Sequence, residues 1–312
     1  MRAIRLTAGG GPGHLSLEDL PVPEPAGADA LVRVHAAAIT RDELTWPLDR
    51  LPATVSYEAS GVVEALGADA DGVAVGDAVY ALTSFDRDGA AADFVLVSSG
   101  VLAPKPASLD DIASAAIPMG GLTAWQALFD HGGLGGGERV LIHGAGGGVG
   151  HLAVQIAKSR GAHVIAPVAA ADVERVAALG ADEVLDRTAT PFDEAAEDID
   201  LVFDTAGGDR LARSPAVLNR GGRIVTVAEE PPAGVEAEYT VAEEPPAGVE
   251  AEYFIVEPNR EQLIELARLA DAGSLKPSVA AVFPLEDARA AFERVEKPGG
   301  AGAKVVLDVM SA

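Results

Sequence analysis

The feature that most constrains this chain is a glycine-rich turn held between a strand and a helix. Arg139–His143 is a short apolar run of the kind that forms a buried strand. His143–Gly150 then reads HGAGGGVG, and Val149, Leu152, Ala153, Ile156 and Ala157 recur at helical spacing, so one face of the helix should pack inward. A G-x-G-x-x-G match alone says little, but strand, turn and helix in this order are what a dinucleotide site requires. Gly147 lets the backbone approach a pyrophosphate, and Gly150 lets the helix pack close to the strand. The bare amides at the helix start hold the phosphates, aided by the helix dipole. The phosphate-binding residues are therefore Ala145, Gly146, Gly147, Gly148, Val149 and Gly150, with Ala145 at the first position of the pattern, where many dinucleotide folds have glycine. The competing reading, a flexible loop without a ligand, does not account for that order.

Strands and helices alternate beyond the turn. His163–Val168 reads as a strand, Ala171–Leu179 as a helix stopped by Gly180, Leu201–Thr205 as a strand, Leu211–Leu218 as part of a helix and Gly222–Ala228 as a further strand. Such alternation predicts an α/β unit with a parallel sheet covered on both faces. The first hundred residues differ. Met1–Leu6, Leu31–Ala38, Ser60–Leu66, Ala78–Leu82 and Asp93–Ser98 are β-rich runs punctuated by Gly, Pro and Asp. Pro21, Pro23 and Pro25 keep the second segment out of any central strand. From about Leu275 the tail returns to strand-like and mixed segments, Val279–Phe283 and Lys304–Val309. A length of 312 residues suits two domains: a mainly β domain from 1–115 completed by 275–312, and the α/β domain over 116–274.

The end of the second strand of the α/β domain bears on coenzyme choice. An NAD site usually carries an acid there, about twenty residues after the glycines, to bind the ribose diol. Here the strand ends in Ala169, Ala170 and Ala171; Asp172 comes next, placed to cap a helix, and Arg175 one turn further is placed to meet a 2′-phosphate. The residues favour NADPH, with NADH left open.

Absences narrow the chemistry. The chain has no cysteine, which removes disulfides and cysteine-ligated metal. His14, His35, His131, His143, His151 and His163 show no metal-ligand spacing, and each reads as a packing or surface residue. A net charge of −25 argues against nucleic acid and anionic membranes as partners. The start, MRAIRLTAGGGPG, has no apolar core of a signal peptide, and no run is long enough to span a membrane, so a cytoplasmic location is expected.

One segment is abnormal. Thr226–Tyr239 reads TVAEEPPAGVEAEY, and Thr240–Tyr253 repeats it without a change. A structural repeat would have drifted and would need several units, so this is a recent or artificial tandem duplication. Each copy carries four glutamates, too few to account for the acidity. Residues from about 229 to 250 hold two Pro-Pro pairs, are poor in apolar surface and are expected to project as an acidic loop. Chain continuity favours the first TVA after the preceding strand and the second AEY before Phe254.

The motifs HGAGGGVGHLAVQIAKSRGAHVI, IPMGGLTAWQALFDHGGL, SYEASGVVEALG and GGRIVTVA together resemble those of the medium-chain dehydrogenase/reductases. Within that superfamily the chain is similar to the bacterial zinc-less quinone oxidoreductases related to zeta-crystallin. The resemblance spans nearly the whole chain. It implies a GroES-like substrate domain beside a Rossmann domain, a small-molecule quinone or enone substrate, and a homodimer formed by edge pairing of Rossmann sheets, with Phe254–Val256 leading into the edge strand. Zinc alcohol dehydrogenases have Gly-His-Glu where this chain has Ser56-Tyr57-Glu58, so Tyr57 stands at a zinc-ligand position. Zeta-crystallin-like members carry asparagine where this chain has Thr40.

Without a metal, charge developing on a substrate oxygen must meet hydrogen-bond donors. The resemblance places the hydroxyls of Tyr57, Thr40 and Thr123 near the nicotinamide. Tyr57 has a second reading as a buried structural tyrosine, and Thr123 as the cap of a helix beginning at Ala124. Further cofactor contacts implied by the resemblance are Asp204, Thr205, Val227, Ala228, Phe254, Ile255, Val256 and Lys304. Three functions follow: an NAD(P)H-dependent reductase of quinones or enones, an enoyl-thioester reductase, or a non-catalytic NADPH-binding protein of the crystallin kind.

Overall fold

The computed structural model describes residues 1–228, 250–297 and 302–311. The acidic segment expected to project over 229–250 lies outside them apart from Glu250. Contacts divide the chain into two compact units, Met1–Leu122 with Glu257–Ala312, and Thr123–Val256.

The first unit begins with strands β1 (Arg2–Leu6), β2 (Leu15–Asp19), β3 (Asp29–Ile39), β4 (Ala53–Thr54), β5 (Glu58–Leu66), β6 (Ala78–Leu82), β7 (Phe94–Ser98) and β8 (Ala103–Pro104), then helices α1 (Asp111–Ala115) and α2 (Pro118–Trp125). The second unit runs β9 (Arg139–His143), α3 (Gly150–Ser159), β10 (His163–Val168), α4 (Val173–Ala177), β11 (Glu183–Asp186), α5 (Phe192–Ala195), β12 (Ile199–Asp204), α6 (Asp209–Arg213), β13 (Leu218–Thr226) and β14 (Glu250–Tyr253). The chain then returns to the first unit with α7 (Arg260–Asp271), β15 (Val279–Pro284), α8 (Ala288–Glu296) and β16 (Lys304–Asp308).

In the second unit six strands pair in the order β11-β10-β9-β12-β13-β14, all parallel. That is the doubly wound order, with the reversal beside β9, so the glycine turn leaves the sheet at its switch point. Val140, Leu141 and Ile142 of β9 are each fully buried, as a central parallel strand requires. The sequence assigns one inward face to α3; in the structure every residue from Gly150 to Ala157 is buried.

The first unit is mainly β. Seven strands pair in the order β15-β16-β3-β5-β6-β8 with β7 added on β3, and β2-β1-β4 form a separate three-stranded sheet. The proline-flanked second segment, β2, pairs only with β1, as expected of an edge. Two helices were not anticipated. α7 carries an Asn259 cap that accepts from Gln262 N–H and buries Leu263, Leu266 and Ala270, while α8 buries Ala288, Ala291, Phe292 and Val295. The units also divide at different places from those the sequence suggests. α7 packs in the first unit because the Tyr80 hydroxyl donates to Leu263 O (2.5 Å), Arg260 to Leu102 O (2.6 Å) and Ser108 N–H to the Asp271 carboxylate (2.8 Å).

The duplicated segment enters the sheet at both ends. Thr226, the first residue of the first copy, ends β13, and Glu250–Tyr253, the last four of the second copy, form β14 with Thr226 opposite Tyr253. Phe254–Val256 therefore follow the edge strand, where the resemblance had them leading into it. Deleting either copy yields the same chain, in which Glu236–Tyr239 precede Phe254 directly and supply an identical strand. Loop-closure entropy changes slowly with length, so removing Thr240–Tyr253 should stabilise the fold by less than about 1 kcal/mol. Unfolding of the deleted chain in a thermal melt would show that the repeat is structural.

Candidate functional site

Two clusters collect the sequence-predicted residues, one in each unit. In the second unit the chain leaves β9 at His143 and turns at Gly144, whose φ of 74° lies in the left-handed region. Gly147 N–H donates to Gly144 O (2.8 Å), closing the turn. A Cβ on Gly150 would overlap Gly144 O and stand 2.6 Å from Ala145 Cα, so α3 reaches the strand only because residue 150 has no side chain. A Cβ on Gly147 would meet nothing closer than Gly144 O at 3.2 Å. Gly147 is thus less tightly packed than Gly150, though a side chain there would still press on the Gly144 carbonyl. The amides of Gly148 and Val149 donate to no described residue, and α3 has no side-chain cap. Unsatisfied amides on the end of a ten-residue helix suit a pyrophosphate.

The neighbouring side chains brace this turn. The Thr205 hydroxyl donates to His143 O (2.8 Å). Asp204 is fully buried and accepts from Gly207 N–H (3.0 Å), Ala206 N–H (3.2 Å) and the Thr226 hydroxyl (3.0 Å); burial holds its carboxyl above the ordinary range. Val227 N–H donates to Asp204 O (3.1 Å) and Ala228 N–H to the Thr226 hydroxyl (3.2 Å). Asp204 and Thr205 therefore fasten the ends of β9, β12 and β13 to one another. Phe254 is buried with its ring stacked on His131 at 4.3 Å, Val256 is buried, and Ile255 is exposed. Asp172 does not cap α4; it accepts from Arg175 (2.7 Å), which also donates to Gly146 O (2.9 Å). Arg175 Nη1 is buried without a partner. His151 Nδ1 lies 2.9 Å from Gly147 O, and His143 Nε2 lies 3.0 Å from the Ser214 hydroxyl. Burial, with the charge of Arg210, pushes the His143 imidazole down to about 3.

The first unit gathers a buried charge cluster. Lys304, expected at the coenzyme, pairs with Glu58 and donates to the Thr40 hydroxyl (3.1 Å). The cause is the pairing of β16 with β3 and of β3 with β5, which brings a fully buried carboxylate beside the ammonium. Met119 N–H donates to the other oxygen of Glu58 (2.9 Å). Glu43, also fully buried, accepts from Thr40 N–H (2.7 Å) and Ser56 N–H (2.9 Å), and burial pushes its carboxyl up to about 8. Ser56 has φ of 67°, a left-handed turn that leads directly into Tyr57.

The three hydroxyls proposed as donors differ in exposure. Tyr57 is fully buried, its ring against Trp46 (5.7 Å) and Phe85 (5.3 Å), and its oxygen accepts from Arg50 (2.7 Å). Burial pushes its hydroxyl up to about 12. Thr123 is 5% exposed and sits inside α2, so it caps no helix at Ala124. Thr40 is half-buried. The sequence reading missed Glu43, Arg50 and Glu58 as site residues. A glutamate three residues after Thr40 and an acid following Tyr57 carried a signal, since buried carboxylates require partners. Among the described residues no group of three or more His, Asp and Glu is placed to hold a metal ion, and no helix is long and apolar enough to cross a membrane.

Comparison with known proteins decides the family. Residues 26–107 match the alcohol dehydrogenase GroES-like domain, and residues 179–307 match the zinc-binding dehydrogenase family. The quinone oxidoreductase of Homo sapiens is 30% identical over 98% of this chain and 97% of its own. The chain is a medium-chain dehydrogenase/reductase. A mitochondrial NAD(P)H oxidoreductase of Mus musculus is 32% identical over 90% of this chain and 82% of its own. The solved quinone oxidoreductase of Coxiella burnetii is 31% identical, with a TM-score of 0.88 over 99% of each chain. As a member of this family the chain is an NAD(P)H-binding oxidoreductase, and the amides at Gly148 and Val149 fit the phosphates of such a coenzyme.

Two outcomes are expected. Gly147→Asp should fold normally yet lose nucleotide binding, whereas Gly150→Ala should destabilise the unit by about 1–3 kcal/mol through overpacking. Denaturant melts and a nucleotide titration on both variants check this; equal stability of the two would remove Gly150 from its packing role. The second outcome concerns pH. Glu43 keeps its proton in the fold up to about pH 8 but loses it near 4.5 when unfolded, so stability is lost as pH rises from 4.5 to 8. His143 acts oppositely, only below its unfolded value of 6.5. Between pH 6.5 and 8 the thermal midpoint should therefore fall, and Glu43→Gln should flatten that slope.

Proposed function

We propose that this chain is an NAD(P)H-dependent reductase that delivers hydride to a quinone or an α,β-unsaturated carbonyl without zinc, with NADPH preferred. The observation that carries the reading is the Thr40 hydroxyl. It is the one member of the three proposed donors that is not buried, and Lys304 stands behind it at 3.1 Å.

A nicotinamide coenzyme held at the glycine turn would supply the hydride. The chain must then stabilise negative charge on the acceptor oxygen. Thr40 accepts a hydrogen bond from Lys304, which leaves its own proton to donate. Its contact with Glu58 is 3.4 Å, long for a hydroxyl donor, so a substrate oxygen competes well for that proton. Glu58 neutralises the ammonium, and Lys304 polarises Thr40 through one shared hydrogen bond. Tyr57 is assigned to positioning: with Arg50 and the ring of Trp46 it anchors the segment that carries Thr40 and Glu43. Thr123 is retained as a buried residue of α2. Zinc chemistry is disfavoured by composition, since the chain has no cysteine and Tyr57 replaces the ligand histidine. The quinone oxidoreductase names of the relatives support the acceptor class. The lack of an acid at 169–171, where an NAD site would bind the ribose diol, supports NADPH. A homodimer through the outer edge of β14 belongs to the same reading.

The test is NADPH oxidation by exhaustively chelated protein, with 1,2-naphthoquinone and with an alkyl enone as acceptors. Turnover should persist without metal. Thr40→Val should lower kcat by about 10²-fold, the scale of a lost oxyanion donor. Tyr57→Phe should lower thermal stability more than turnover. Dependence of turnover on stoichiometric zinc would overturn the proposal, and full activity of Thr40→Val would remove Thr40 from it.

A further inference from the structure

One cavity in the α/β unit, of about 180 Å³, is not accounted for by the glycine turn. Its apolar lining is Pro167, Pro191 and Phe192, and its polar lining is Arg187, Arg210 and Arg213 with a single acid, Asp209. Three guanidinium groups around one small cavity are unusual in a chain of net charge −25. Several other arginines are held by acids: Arg2 by Asp93, Arg87 by Asp29, Arg139 by Glu183 and Arg223 by Glu138. Arg213 likewise pairs with Asp193. The guanidinium groups of Arg187 and Arg210 make no hydrogen bond or ion pair with any described residue.

The cavity lies on the same edge of the sheet as the glycine turn. Arg187 directly follows β11, and its N–H donates to Val168 O at the end of β10 (2.9 Å). Arg210 lies in α6, just beyond the end of β12. Phe192, part of the apolar lining, meets the ring of His143 at 4.6 Å, and His143 is the last residue before the turn. A dinucleotide with its pyrophosphate on the turn therefore has its adenosine half within reach of this cavity. Arg175, the sequence-based candidate for a 2′-phosphate, donates through Nη2 to Asp172 and to Gly146 O, which ties it to the turn, while its Nη1 is buried without a partner.

We propose that Arg187 and Arg210 hold the 2′-phosphate of NADPH, beside an apolar wall of Pro167, Pro191 and Phe192, and so set the coenzyme preference of this chain. The inference rests on the dinucleotide reading of the glycine turn. A phosphate dianion gains charge-assisted, bidentate hydrogen bonds from two guanidiniums that have no internal partner to give up. An NADH ribose offers only hydroxyls there and leaves both cations without an acceptor.

Isothermal titration of the full chain with 2′,5′-ADP, 5′-AMP and inorganic phosphate tests this without turnover. 2′,5′-ADP should bind about 10- to 100-fold tighter than 5′-AMP, the range of a lost charged hydrogen bond. Arg187→Gln and Arg210→Gln should each erase most of that difference while leaving 5′-AMP affinity within about threefold. Arg175→Gln should weaken both nucleotides together. Thermal melts of the three variants establish that each is folded. Equal binding of 2′,5′-ADP and 5′-AMP by the unaltered chain would overturn the proposal, as would a preference that survives both substitutions. Inorganic phosphate binding as tightly as 2′,5′-ADP would mark a free-anion site and also overturn it. If NADH binds while 2′,5′-ADP shows no advantage, this inference alone fails; if no nucleotide binds, the dinucleotide reading fails with it.

Discussion

The nucleotide-binding unit depends on one contact, the approach of Gly150 to the carbonyl of Gly144. Any side chain at 150 would occupy the space of that carbonyl. The contact fixes where α3 begins and leaves the amides of Gly148 and Val149 without internal acceptors. Its other side is held by Thr205, whose hydroxyl on His143 O lies where a Cβ of residue 144 would be. Asp204 then links the turn after β12 to Thr226 at the end of β13. A ligand site in this unit is therefore a by-product of close packing: the same absence of side chains that lets helix meet strand exposes the backbone.

The first unit solves a different problem, the burial of three ionisable groups. Glu43 and Glu58 are both fully buried and Lys304 is 5% exposed. Breaking a buried pair by removing one partner is costly, because the other charge is left without solvent or counterion. Here each carboxylate is satisfied twice over, Glu58 by Lys304 and Met119 N–H, and Glu43 by two backbone amides. Burial outweighs the two amides and the charge of Lys304 at Glu43, which is why that carboxyl keeps its proton near neutrality. The hydroxyl of Thr40, a half-buried residue, lies 3.1 Å from the Lys304 ammonium and 3.4 Å from Glu58.

Legibility in the sequence followed the range of the interactions. The limits of β9 and β10 were readable to the residue, because buried parallel strands are short apolar runs bounded by Gly and polar residues. The glycine turn was readable for the same local reason. α8 carried a helical period at Ala288, Ala291, Phe292 and Val295 that the mixed composition of the tail concealed. The place of α7 was not readable at all, since it depends on Tyr80 reaching Leu263 across 183 residues. Lys304 is a similar case: nothing adjacent in sequence points to Glu58, 246 residues away, and only sheet pairing brings them together. Tyr57 was named as a donor from its position in a motif, but its burial among Trp46, Phe85 and Arg50 is set by the loop preceding it.

Charge composition connects these observations. Acids outnumber lysine and arginine 48 to 23, so an average cation has a choice of partners within reach. Surface pairs formed this way contribute little individually and are easily exchanged. In such a background an arginine without a partner is the less expected state, because rotation of a long flexible side chain usually finds an acid. Arg187 and Arg210 line one cavity whose single lining acid is Asp209. The backbone elements that carry them, the end of β11 and the start of α6, are fixed by the sheet. Asp186 and Asp204 lie close enough to feel their charge, yet neither guanidinium forms a hydrogen bond or ion pair with a described residue, which leaves both able to bind an anion that arrives from outside.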